Sequence, residues 1–161
     1  MTPIDSIKKF LSVTRDISIG FNEINFFNAD NLDEGQIGYR VDTNGNSLVD
    51  GKEGNWQKEW LVIANDQLGD PIIIDTNSPN LTVLTSQHGE GDWETTVIAD
   101  SLDTFKNITF ILDNISKNRT NPVDIEKNPI SDKELKLVLT QIEEQNPGSE
   151  LWFWESFFEN D

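Results

Sequence analysis

The turn Asp66-Gln-Leu-Gly69-Asp70-Pro71, with Asp75 a few residues on, brings together side chains that could do chemistry. Carboxylates paired in a cleft can be driven to different proton affinities and serve as general acid and base, or share a metal. The same residues have a plainer use, since glycine allows a tight turn and an Asp side chain accepts hydrogen bonds from the amides of its own turn. Catalysis would also need a basic or electrophilic helper, and few lie nearby. His88, the only histidine, precedes Gly89-Glu90-Gly91-Asp92-Trp93. Neither a Ser-His-Asp order nor a Gly-x-Ser-x-Gly elbow accompanies it, so a structural role in a turn is expected of it. A carboxylate enzyme built on Asp66, Asp70 and Asp75 is the lesser expectation.

A second segment, Asp42 to Glu53, spaces the oxygen side chains of Asp42, Asn44, Asn46, Asp50 and Glu53 as an EF-hand calcium loop does, with Val49 at the apolar position. Ser47 stands where that loop needs glycine, and neither flank has the pattern of an amphipathic helix. The expectation is therefore a solvated hairpin tip at Asn44-Gly45, with calcium as the alternative. Of five tryptophans, Trp56 and Trp93 sit beside turn glycines and charged residues and are expected to be partly exposed; the others suit a core.

Charge narrows the partners. Twelve Lys and Arg against 29 Asp and Glu give 12 − 29 = −17 over 161 residues. Such a surface repels nucleic acid and anionic lipid and steers basic proteins toward it. The acidic C-terminal stretch, with Glu150, Glu155, Glu159 and Asp161, suits a solvated face that could meet such a partner. With no cysteine and one histidine, disulfides, thiolate clusters and multi-histidine metal sites are excluded, and no cofactor or metal is expected. Asp5, Lys8 and Lys9 interrupt the N-terminal apolar residues, so no signal peptide is expected, and no stretch approaches the roughly 20 apolar residues of a membrane span. A cytoplasmic location follows as an expectation, and the sequons at Asn80, Asn107, Asn114 and Asn118 are read as chance.

The elements that must hold these residues are legible from periodicity. Ile4, Ile7, Phe10 and Leu11 predict a helix over 3–14. Residues 16–34 are irregular and predict a short strand or loop that pins aromatics to the core. A sheet is expected over about 36–99, from Gln36–Val41, Trp60–Ala64, Ile72–Asp75, Leu81–Thr85 and Trp93–Ala99, joined by short turns as an antiparallel meander. The period then changes. Leu102, Phe105, Ile108, Leu112 and Ile115 predict a helix over 101–116. A Pro-containing loop over 118–129 leads to a second helix over 131–146, opened by a Ser131/Glu134 capping box and buried through Leu135, Val138, Leu139 and Ile142. Leu151–Phe158 is expected to be a final helical turn docked on the core. The fold class is thus α+β, a mainly antiparallel sheet of about five to six strands with helices packed on one face, in one domain over 1–161.

Several runs together resemble a known family. Gln36-Ile-Gly38-Tyr39, Trp56, Trp60-Leu-Val-Ile-Ala64, Gly69-Asp70-Pro71-Ile-Ile-Ile-Asp75, His88-Gly-Glu-Gly-Asp-Trp93 and Ile98-Ala-Asp-Ser-Leu-Asp-Thr-Phe105 follow in the order seen in the SUKH superfamily. More narrowly the chain resembles the branch named for the fungal cell-wall-synthesis regulator, whose bacterial members are largely immunity proteins. The resemblance implies helices on one face of an antiparallel sheet, no catalysis, and a cognate protein toxin as partner, often a nuclease. A basic toxin would suit the acidic composition. Carried over residue by residue, Tyr39, Trp56, Asp66, Gly69, Asp70 and Trp93 become the expected rim of the binding surface, although a turn and a core would use the same residues. Gln67-Leu68 departs from the small residues usual before Gly69. A general interaction scaffold without a toxin is the alternative function.

Overall fold

Strands follow one another across the sheet in their order along the chain, and every neighbouring pair is antiparallel. They are β1 (Ile17–Ile19), β2 (Asn22–Phe26), β3 (Trp60–Asp66), β4 (Pro71–Asp75), β5 (Val83–Ser86) and β6 (Thr95–Ala99). The computed structural model describes residues 1–159. Five helices accompany the sheet: α1 (Pro3–Val13), α2 (Leu102–Ser116), α3 (Pro122–Lys127), α4 (Asp132–Gln145) and α5 (Trp152–Glu155). The fold is α+β, as the patterning predicts, and no helix among the described residues is long and apolar enough to cross a membrane.

The middle of the sheet is buried on both faces, which explains its continuous apolar runs. On β4, Ile72 and Ile74 enter the large core beneath the helices, whereas Ile73 enters a second cluster on the other face with Trp56, Val62 and Leu84. All three isoleucines are fully buried, and each contributes roughly 1.5–3 kcal/mol of transfer free energy. Beneath the helices, Phe105 of α2 packs against the rings of Phe10, Phe26 and Trp154 at centroid separations of 5.7, 6.2 and 6.0 Å.

Caps set the helix starts. Thr2 and Asp5 form a reciprocal capping box on α1, and Ser101 with Thr104 does the same on α2. On α4 only half of the expected box forms. Ser131 Oγ accepts from the Glu134 amide at 3.1 Å, while the Glu134 carboxylate turns to Arg119 Nη2 at 3.4 Å. Val138 and Ile142 are the buried members of its stripe, and Leu135 and Leu139 are half-buried.

Three expected segments differ. The sheet begins at Ile17, not near 36, because residues 17–26 form a β-hairpin through Gly20. β1 is so short that Ile17 and Ile19 are its only two points of alternation, and β2 buries Ile24 alone. Gln36–Val41 is not a strand: a 3-10 turn over 34–36 and Gly38 at φ +92° break it. The expected 118–129 loop contains α3, whose six residues start at Pro122 after an Asn121 cap and are too few to show a period.

Both outer edges of the sheet are covered by the C-terminal third. At β1, the Gly20 amide donates to the Arg119 carbonyl at 3.0 Å and Ser18 Oγ donates to the Thr120 carbonyl at 2.7 Å. At β6, the Val97 carbonyl accepts from the Glu150 amide at 2.8 Å and the Ile98 carbonyl from Trp154 Nε1 at 2.7 Å. Leu151–Phe158 therefore docks on the core as expected, with Phe153, Trp154 and Phe157 buried.

Candidate functional site

The long connection between β2 and β3 lies over the face of the sheet away from the helices, and a buried glutamine anchors it. Gln36 Nε2 donates to the carbonyls of Val62 and Leu32 at 2.8 and 3.0 Å, and Gln36 Oε1 accepts from the Val62 amide at 2.9 Å. β2 and Phe27 pair with β3 only as far as Ile63. The Gln36 side-chain amide thus takes the place of the next peptide group in the ladder. Sequence alternation placed a strand here; the pairing exists, but a side chain makes it.

Downstream of that anchor, all six residues expected to rim the site come together. Trp56 forms the base of an aromatic group, 5.7 Å from Tyr39, 5.1 Å edge-on from Trp93 and 5.4 Å from Trp60 between ring centroids. At 1% exposure Trp56 is core, contrary to the expectation that it is partly exposed; its Nε1 donates to the Trp60 carbonyl. Trp93 is half-buried, as expected. Tyr39 carries the aromatic group into the β3–β4 turn, its hydroxyl donating to the Gly69 carbonyl at 2.7 Å. Burial, and then the negative charges of Asp70 and Asp66, push the Tyr39 hydroxyl above its ordinary pKa.

Inside the turn, Asp66 Oδ1 accepts from the amides of Leu68 and Asp70 at 2.9 and 3.0 Å, and Gly69 takes φ +83°, which only glycine adopts without strain. Burial raises the Asp66 pKa, and those two amides offset only part of the effect. Asp70 is nearly buried, and its Oδ1 meets both the His88 amide at 2.9 Å and His88 Nδ1 at 2.6 Å. His88 thus has the expected structural role in a turn, pinning the β5–β6 connection to the β3–β4 turn, and that pairing was not foreseen. Asp75 is engaged by the Asn77 amide at the other end of β4, about 13 Å away along the strand. The three carboxylates weighed for catalysis are therefore not assembled.

The Asp42–Glu53 segment has the geometry of two small turns. Asp42 Oδ1 accepts from the amides of Asn44 and Asn46, and Asp50 Oδ1 from that of Lys52. These bonds hold both carboxyls below their ordinary pKa. No group of three or more His, Asp or Glu side chains among the described residues is placed to hold a metal ion.

Next to the turn a cleft of about 640 Å³ opens between the ends of the central strands and α5. Asp66, Asp70, Glu90, Asp92 and Glu94 line it, and no Lys or Arg does so. Leu68 and Trp152, 67% and 48% exposed, supply large apolar surface at the same place. Trp152 is thus an exception to the expected core tryptophans, because the Trp-Phe-Trp run gives no periodicity that could tell its outward member from its inward ones. Asp161, counted with the acidic C-terminal stretch, lies outside the described residues.

An antiparallel meander with helices on one face, an aromatic loop on the other and a Gly-Asp-Pro turn tied to a histidine defines a recognisable class. The chain belongs to the SMI1 / KNR4 family (SUKH-1), whose family model matches residues 5–108. That span contains Tyr39, Trp56, Asp66, Gly69, Asp70 and Trp93 and ends before the residues of α5 that close the cleft. No curated protein and no solved structure gives a significant match to the chain.

Proposed function

We propose that this protein is a non-catalytic immunity protein of the SUKH type, which binds a cognate, basic toxin domain and blocks its active surface. The observation that carries this is the convergence of Tyr39, Trp93 and the Asp66–Asp70 turn on one surface continuous with a cleft that has five carboxylates and no cation. Family membership supports a protein-binding role of this kind. Carboxylates so arranged suit a nuclease's phosphate-binding groove, because they occupy the sites meant for phosphate and speed encounter through charge. Trp56 acts from below: it fixes the planes of Tyr39 and Trp93 and does not itself touch a partner.

Co-expression with a toxin domain found in the gene's neighbourhood tests the proposal. Survival of the host, with a stable complex on purification, is the expected result. Death of the host despite full expression of the folded protein would overturn immunity and favour a general scaffold.

A further inference from the structure

The cleft beside α5 combines three properties. It is of a size that encloses a few residues of a partner. Its charge is of one sign, and the carboxylates of Glu90, Asp92 and Glu94 face it with no hydrogen-bond or ion-pair partner among the described residues. Its rim holds Leu68 and Trp152, large apolar side chains left about two-thirds and just under half exposed, with Phe153 and Phe157 behind them. An inorganic cation would not use the tryptophan and leucine, and a purely apolar segment would leave the carboxylates desolvated without a partner. Charge and shape are both met by a segment carrying Arg or Lys next to an aliphatic residue, its guanidinium between the carboxylates and over the indole.

We propose that this cleft receives a basic loop of the partner protein, one Arg or Lys side chain entering among Asp66, Glu90, Asp92 and Glu94 while a neighbouring apolar side chain packs on Trp152 and Leu68. This rests on the partner-binding function above and gives it a location. Two parts of the chain build the cleft: the strand ends lie within the family-matched span, whereas Trp152 and its helix lie outside it. The helix is therefore the part that selects among basic partners, and the β3–β4 turn the part that anchors them. The raised Asp66 pKa agrees, since a cation arriving there offsets the cost of its buried charge.

The test is chemical-shift mapping of the full chain by NMR, titrated with a synthetic peptide of alternating Arg and Leu. Shifts are expected to cluster at residues 66–70, 85–96 and 152–157, and a Glu-Leu peptide of equal length is expected to produce none. Affinity should fall about tenfold in Glu90→Lys/Glu94→Lys and in Trp152→Ala, and stay unchanged in Glu143→Lys/Glu144→Lys, which alters as much charge on α4. Shifts spread over the whole acidic surface, or equal losses in the α4 control, would overturn the cleft. The two proposals fail separately. Rescue of the host by both Glu90→Lys/Glu94→Lys and Trp152→Ala would refute the cleft and leave immunity standing, whereas peptide binding at the cleft without rescue by the wild type would refute immunity alone.

Discussion

Gln36 shows how much one side chain can be asked to do. Its amide satisfies both the N–H and the C=O of Val62 in the middle of the sheet, where water cannot substitute. Gln36→Leu keeps the volume and takes the partner from three backbone groups, the N–H and C=O of Val62 and the C=O of Leu32, so a loss of about 2–5 kcal/mol is expected in urea unfolding. Gln36→Glu keeps the acceptor but not the donor and should also be destabilised. Asp66 gives a pH-dependent counterpart. Its folded pKa lies above the unfolded value, so between the two the native state binds more protons and stability falls as pH rises through that window. Asp66→Asn retains an oxygen for the Leu68 and Asp70 amides and removes the charge. The mutant should therefore be relatively more stable than wild type at neutral pH, the gap closing as pH falls toward about 4, as urea midpoints across pH would show. Asp42 and Asp50, with lowered pKa values, act with opposite sign but are common to both proteins and cancel in the difference. Of these residues, the sequence pointed to Asp66 through its turn. Gln36 opens the Gln36-Ile-Gly38-Tyr39 motif, but nothing in the pattern showed that its side chain rather than its backbone does the pairing.

Elements were legible where burial leaves a pattern in the residues. The helices α1, α2 and α4 are long enough to repeat a period, and β3 to β5 carry apolar runs because the sheet buries them on both faces. The β1–β2 hairpin, in which β2 buries only Ile24, and the six-residue α3 carry no such signal, and the 37–59 connection satisfies its polar groups by local turns that leave no period at all. For the site, the Tyr39, Gly69 and Trp93 surface was accessible through motif order, whereas α5's share of the cleft depends on a contact between positions about 60 residues apart. Asn146 joins such distant elements. Its Oδ1 accepts from the Asp100 amide and its Nδ2 donates to the Ile142 carbonyl, both at 2.9 Å, locking the end of α4 to the end of β6. Asn146→Ala should cost about 1–3 kcal/mol, read from the thermal or urea midpoint. Because α5 follows directly, the same variant should weaken the Arg-Leu peptide more than its effect on stability alone would suggest.

Across the whole molecule a charge of −17 makes long-range attraction the first event with a basic partner. Raising salt from low to physiological strength should therefore slow association with such a partner about tenfold in stopped-flow measurements, while dissociation changes far less. The same charge keeps copies of the chain apart, which matters for a protein with Leu68, Trp152 and Phe21 exposed. Dissociation, in turn, should respond to Trp152 and Leu68 and hardly to salt, since what holds the docked state is desolvated contact.

The covering of both sheet edges by the C-terminal third also sets an order in time. Residues 17–99 leave the ribosome first and can pair as a meander, but the carbonyls of Val97 and Ile98 and the outer side of β1 stay open until residues 119–154 have been made. For that interval the nascent sheet has two free borders, each able to recruit a strand from a neighbouring nascent chain. Sealing is completed only when Trp154 reaches Ile98. The residues that shape one side of the proposed partner cleft are thus also the last to make the sheet safe, so completing that cleft and finishing the fold are one event.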